Sequence, residues 1–304
     1  MSELSGKKIA IDISIYLYKF SADNALIENM YLMLSIFRHY KIISVFIFDG
    51  KPPEEKKDLL ERRKEEKIKA KKEYERLKQQ LSNNDVIDND DRQEITTTMD
   101  ALKKKFIYIQ KDEIIKVKEL IRAFGASYYD APGEADELCA LLAIKKKVWA
   151  SMSEDMDLFV YGCTRVLRYF SLMKHNVVIY HTKKIFEELG IPEKEFRQIC
   201  ILSGTDYNIH TNKNVDLYNT LKMFKKYHKR INNEKSNLNI DFYDWLIENT
   251  DYIQDYPLIQ QIYNLFNLHD GNNFTAPFEH IKISNGHYNN LDIREILKED
   301  GFIF

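Results

Sequence analysis

Two short apolar runs, each ending on an aspartate, constrain this chain more than any other feature. Lys7-Lys-Ile-Ala-Ile-Asp12 is brief and β-branched, which reads as a buried strand. Ile42-Ile-Ser-Val-Phe-Ile-Phe48 reads the same way and is followed directly by Asp49. Residues 14–39 carry helical spacing between them, through Tyr18, Met30, Leu34 and Phe37. Two strands joined by a long helical crossover make a parallel βαβ unit. Open parallel sheets hold their ligands beyond the carboxyl ends of the strands, so Asp12 and Asp49 should meet at one crevice.

Further strands are expected at Lys147–Met152, Arg165–Phe170 and Asn176–Tyr180. Helices are expected near 112–124, after Phe106-Ile-Tyr-Ile109, and at Glu134–Lys146, after the Ala131-Pro-Gly break. The expected class is α/β, with a mainly parallel twisted sheet flanked by helices. Two regions depart from that plan. Residues 54–82 contain no glycine or proline, and Lys51–Lys78 holds twelve basic and eight acidic residues, the pattern of a long, charge-laced helix. A polar loop (82–91) and a second helix near 93–105 follow, and segment 82–98 should be the most mobile because it can bury little apolar area. From residue 183 onward the pattern is mostly helical, with polar loops at 208–214 and 232–240. The expected layout is a core over 1–210 that includes the charged excursion 51–110, with a helical region over 211–304 packed on it.

More acids sit in ordered contexts. Asp130-Ala-Pro-Gly-Glu134-Ala-Asp136 opens a helix, where the dipole favours negative charge. Ser153-Glu-Asp155-Met-Asp157 follows a strand, and Ser203-Gly-Thr-Asp206-Tyr follows a helix. Each acid taken singly reads as a turn residue, a cap or a dipole partner. Seven together (Asp12, Asp49, Glu134, Asp136, Asp155, Asp157 and Asp206) would repel and take up protons unless cations joined them. Oxygen ligands suit magnesium or manganese. Seven acids suffice for two ions, the usual device for in-line hydrolysis of a phosphodiester. Cys/His metal spacing, a Ser/His/Asp arrangement and a GxxxxGK[ST] loop are all absent from the sequence.

Composition narrows the setting. No apolar run approaches the roughly 20 residues of a membrane helix, and the start lacks a signal peptide's apolar stretch, which argues against secretion or membrane insertion. The three cysteines, Cys139, Cys163 and Cys200, are odd in number and widely spaced, which fits a reducing intracellular compartment. The net charge of −2 hides an asymmetry: from Asn232 to the end there are four Lys/Arg against twelve Asp/Glu, so the preceding body is mildly basic.

These residues resemble the motif blocks of the flap endonuclease family of structure-specific 5′ nucleases. Ile9-Ala-Ile-Asp12, Phe46-Ile-Phe-Asp49-Gly-Lys-Pro-Pro53, Asp130–Asp136, Ser153–Asp157 and Ile201–Tyr207 occur in the family's order and span about two-thirds of the chain. The resemblance implies a PIN-like two-metal nuclease that cuts DNA at 5′ ends or junctions in replication, repair or recombination. It implies two Mg2+ ions, replaceable by Mn2+, one held by Asp12, Asp49, Glu134 and Asp136 and the other by Asp155, Asp157 and Asp206. The charged excursion matches the family's helical arch, and Lys56 and Arg63 match its catalytic lysine and arginine, acting beside the ligand Asp155. Positions 56, 63 and 67 are spaced to share a helix face, so Lys67 joins them as a phosphate contact. Tyr18 matches an aromatic that stacks on a base near the cut.

Departures from the family pattern are equally plain. Only eleven residues precede Asp12, and Asn208-Ile-His-Thr-Asn stands where the family has a Gly-Ile-Gly hairpin that grips duplex backbone. A basic stripe of Lys213, Lys222, Lys225 and Lys226 is left to follow duplex DNA electrostatically. The chain ends like the family's nuclease core, without the tail that binds a sliding clamp, as in a minimal, monomeric member from a large DNA virus. The nucleus, or a cytoplasmic replication site, is the expected location. Two other readings remain: a 5′–3′ exonuclease on RNA or single strands, and a non-catalytic nucleic-acid scaffold.

Overall fold

The computed structural model describes residues 1–83, 88–208, 215–233, 240–268, 281 and 283–303. A six-stranded sheet with the order β3-β2-β1-β4-β5-β6 forms its centre. The strands are β1 (Lys8–Asp12), β2 (Ile43–Phe48), β3 (Ser127–Asp130), β4 (Ala150–Met152), β5 (Arg165–Ser171) and β6 (Asn176–His181). All neighbours are parallel except β5 and β6, which pair antiparallel at one edge. β2 and β3 lie to one side of β1 and β4–β6 to the other, so the strand order reverses between β1 and β4. A crevice opens at such a switch point, beyond the carboxyl ends.

Alternation along the strands divides the core in two. Ile9, Ile11, Phe46, Phe48, Met152 and Leu167 face one layer, made by α1 (Ser14–Ala22), α2 (Leu26–His39), α5 (Lys111–Ala123) and α13 (Asn290–Glu299). Ala10, Val45, Ile47 and Val166 face the other. That second layer holds α6 (Ala135–Ile144), α7 (Asp157–Val160) and α9 (Glu193–Ser203), with α10 (Leu217–Asn233), α11 (Phe242–Asn249) and α12 (Tyr256–Phe266) packed on α9. α8 (Thr182–Leu189) follows β6. The charged excursion is a helical hairpin, α3 (Lys57–Asn83) against α4 (Asn89–Lys105), pinned by buried Ala70 and Leu77 and by Tyr74 on Phe106.

Several boundaries differ from the sequence expectation. The single helical stretch 14–39 is two helices, broken where Asn24 takes a left-handed φ of 52°. The strand expected from Lys147 begins at Ala150, because Lys146 turns left-handed (φ 59°) and Trp149 only then pairs with Lys8. β3 was not expected, since Ser-Tyr-Tyr-Asp carries no apolar run. Residues 89–98, expected to be mobile, lie in α4. Most of the expected loops 208–214 and 232–240 lies outside the described residues.

The chain returns to its own beginning near the end. Asn285 donates to the Ile42 carbonyl (3.2 Å), Gly286 to that of Gly125 (2.6 Å) and Asn289 to that of Ala123 (2.8 Å). A side chain on Gly125, which has φ +77°, would meet the Gly286 backbone at 2.6 Å. Arg38 lies over the Tyr288 ring at 4.0 Å, and Ile293, Ile296 and Leu297 complete the layer against α5. No described helix is long and apolar enough to cross a membrane.

Candidate active site

The acids of the rim are set by strand ends and helix starts. Asp12 is the last residue of β1, and its buried carboxylate accepts from the Ser14 N–H (3.2 Å) and the Ser153 hydroxyl (2.8 Å). Asp49 follows β2, accepts the Ala135 N–H at 2.9 Å and takes the Ser14 hydroxyl on its other oxygen. That reach depends on Gly50. Its N–H bonds the Gly133 carbonyl (2.8 Å), and a Cβ there would lie 1.9 Å from the Ala131 carbonyl oxygen. Glu134 is the N-cap residue of α6 and Asp136 lies in its first turn, buried, accepting the Glu137 N–H at 2.7 Å. Beyond β4, the Asp155 N–H reaches the Ser153 hydroxyl (3.0 Å), and Asp155 Oδ1 accepts the Asp157 N–H (2.9 Å) as α7 begins. Asp206 sits past the Gly204 bend that ends α9, where Asn208 ties Thr205 to the Ile201 carbonyl.

The acids share one electrostatic field. Burial first, then Asp49, pushes Asp12 up to about 7. Burial, then Asp155 and Asp206, pushes Asp157 up to about 7. Asp136 is held well above its ordinary value by burial and by Asp12, Asp155, Asp157 and Glu134. Asp49, Glu134, Asp155 and Asp206 all figure among the charges acting on these three, so residues from five separate segments lie near one another. Oxygens of Asp136, Asp155 and Asp157 lie within 4.8 Å of one another, a spacing that suits a single cation. The family resemblance puts Asp136 with Asp12, Asp49 and Glu134; Asp136 feels Asp12 and Glu134 as well as the Asp155–Asp157 pair, and so stands between the two groups. An all-oxygen, mutually repelling, partly buried donor set fits a hard divalent ion.

Cations approach from the hairpin. Lys56 lies in a 3-10 turn just before α3 and is buried against Glu134, with Asp206 at 3.2 Å and the Tyr207 ring at 5.6 Å. Burial alone would lower its pKa, but Glu134, Asp136 and Asp206 more than offset that and hold it above the usual lysine value. Arg63 reaches Asp206 at 3.1 Å. Lys67 lies on the same side of α3, between the half-exposed rings of Tyr18 (5.1 Å) and Tyr108 (5.3 Å), and donates to the Ile107 carbonyl at 3.3 Å. Tyr108 was not foreseen, and its only signal was an aromatic beside a basic helix. Ser14 and Ser153 were also missed as site residues. Lys222, Lys225 and Lys226 are exposed along α10, with no carboxylate in ion-pair range among the described residues. Lys213 lies outside the described residues.

Comparison with known proteins agrees with this layout. The XPG N-terminal domain profile matches residues 1–70, and the XPG I-region profile matches residues 125–206. Flap endonuclease 1 of Aedes aegypti is 29% identical over 253 residues, 76% of this chain and 63% of that protein. The Trypanosoma brucei gambiense protein of the same name is 31% identical over 224 residues, 66% of this chain and 54% of the relative. The chain therefore spans only about 54–63% of the length of these relatives. The fold is shared with the catalytic core of Rad2 in complex with DNA substrate (TM-score 0.65, 23% identity, 98% of this chain and 88% of that one). It is shared also with human GEN1 in complex with Holliday junction DNA (TM-score 0.59, 17% identity, 98% and 68%). The matched profiles cover both acid-bearing halves of the rim, and on that ground the chain belongs to the flap endonuclease family.

Proposed function

We propose that this chain is a magnesium-dependent, structure-specific 5′ nuclease that hydrolyses DNA at flaps, junctions or 5′ ends. The observation that carries the reading is the convergence of seven carboxylates on the switch-point crevice, with Lys56 reaching them from the turn before α3 and Arg63 from α3 itself. Asp136, Asp155 and Asp157 would hold one ion, and Asp12, Asp49 and Glu134 would turn their remaining oxygens to a second. Asp206, bound by both Lys56 and Arg63, lies between the acids and the hairpin. Bound divalent ions supply a water of lowered pKa and a Lewis acid for the leaving oxygen.

The chain's own groups do the rest. Acids pushed up by burial and mutual repulsion are the groups a divalent cation relieves most. Lys56 and Arg63 sit where a scissile phosphate would replace Asp206 as their partner, which would make them clamps for developing negative charge. Tyr18 and Lys67 offer a ring and an ammonium to the adjoining single strand. In this reading residues 1–210 form the nuclease core, 51–110 its arch, and the α10 lysines of the region 211–304 follow the duplex.

The test is cleavage of 5′-labelled flap, nicked duplex, fork and single-stranded RNA, each with Mg2+, Mn2+ or chelator. Metal-dependent cuts at the DNA branch are expected. Processive release of short products from RNA would replace this reading with an RNA exonuclease, and no cleavage of any substrate would leave a binding scaffold.

A further inference from the structure

Between the acids of the rim lie two serines to which the proposed chemistry gives no task. Ser153 is fully buried at the end of β4. Its Oγ accepts the Asp155 N–H (3.0 Å) and donates to Asp12 Oδ2 (2.8 Å), across 141 residues of chain. A hydroxyl has one proton, and with the Asp155 amide aimed at the oxygen the proton goes to Asp12. The run of bonds continues on both sides. Asp155 Oδ1 takes the Asp157 N–H at 2.9 Å, while Asp12 Oδ1 takes the Ser14 N–H at 3.2 Å. The Ser14 hydroxyl then meets Asp49, whose other oxygen holds the first turn of α6 at 2.9 Å. One chain of hydrogen bonds thus links α7, β4, β1, β2 and α6, and Ser153 carries it across the switch point between β1 and β4.

We propose that Ser153 is a positioning residue that fixes the Asp12 carboxylate relative to the Asp155–Asp157 turn, so that both groups of metal ligands are preset before cations arrive. The inference rests on the metal-nuclease reading. Each carboxylate oxygen has two lone-pair sites, so the serine steers Asp12 and still leaves room for an ion. Without the hydroxyl, the Asp155 amide would lose its acceptor, and the Ser14 N–H alone would hold Asp12 against two repelling neighbours. Groups that orient metal ligands in this way typically change affinity by about 10–100-fold when removed.

The experiment measures Mg2+ in two ways on the parent, Ser153→Ala and Ser153→Thr: thermal stabilisation of the DNA-free protein, and cleavage rate of a 5′ flap. The alanine variant is expected to need about tenfold more Mg2+ for half its stabilisation and half its maximal rate. Its rate at saturating Mg2+ should lie within about threefold of the parent, and threonine should restore the parent's titration. If the alanine protein fails to fold, Ser153→Cys, which keeps the volume and weakens both bonds, is read by the same criteria. A variant that titrates like the parent overturns the positioning role and leaves the nuclease reading standing. A parent that Mg2+ neither stabilises nor activates removes the metal reading, and the positioning role with it.

Discussion

Asp157→Asn should stabilise the metal-free protein and weaken its response to Mg2+. The substitution preserves shape at the start of α7 and removes one charge from the rim. Asp157 stands at about 7 in the fold against an ordinary 3.8, raised by burial, Asp155 and Asp206 and eased only in part by Lys56. An acid whose folded pKa is raised binds its proton more tightly in the native state than in the unfolded one. Stability therefore falls as pH climbs from about 4 to about 7, and the loss is complete above that. Three pKa units correspond to roughly 4 kcal/mol. Side-chain exposure and repulsion shared with Asp155 reduce this to about 2 kcal/mol, which is roughly 4 °C in Tm for a chain of this size. Thermal melts in chelator from pH 4.5 to 8.5 would measure it. Variant and parent should coincide near the acid end and separate by several degrees at pH 8. Adding Mg2+ should raise the parent by more than the variant. A variant less stable than the parent at pH 8 in chelator would refute the account of a mutually repelling rim.

Three further outcomes follow from the same geometry. Lys56→Met leaves Glu134 and Asp206 without their buried partner, so it should cost about 3 kcal/mol in chelator and slow single-turnover cleavage by about 100-fold; a parental rate would remove the lysine from the chemistry. Tyr108→Ala should weaken binding of a single-stranded flap by about tenfold, read by fluorescence anisotropy, and leave blunt duplex unaffected. Asp241 caps α11, accepting from Tyr243 (2.9 Å), Gln198 (2.7 Å) and Lys194 (2.6 Å), and these partners hold its pKa below 3.8 despite burial, which acts the other way. Asp241→Ala should therefore cost about 2 kcal/mol by denaturant unfolding at pH 7. The parent's advantage should vanish as pH falls below about 4, because a lowered folded pKa stabilises only above the unfolded value.

What could be read from the sequence tracks how local its cause is. Asp12 and Asp49 were legible because a β-branched run ending on an acid announces both a strand and its terminus. Glu134 and Asp136 were legible through the Pro-Gly that opens their helix. The closeness of Asp136 to both Asp12 and the Asp155–Asp157 pair was not, because β1 and β4 become neighbours only in the sheet and no neighbouring residue records that order. Ser153 was invisible for the same reason: its partner is Asp12, on another strand. β3 escaped because Ser-Tyr-Tyr-Asp is paired on one side only, at the edge of the sheet, and so needs no continuous apolar run. The face shared by Arg63 and Lys67 followed from helical spacing. The rank of Lys56 above the surrounding lysines came only with the family resemblance, since twelve basic residues in that stretch look alike until one of them is buried.

The return of residues 283–297 to the start of the chain bears on biosynthesis. β1 and β2 are translated about 250 residues ahead of α13, which seals the apolar layer beneath them. At ordinary ribosomal speed that interval is roughly 10–50 s. Throughout it Ile9, Ile11 and Phe46 lack part of their cover, and the two strands that carry Asp12 and Asp49 stand without their final brace. A nascent chain released before Leu297 would keep that face uncovered.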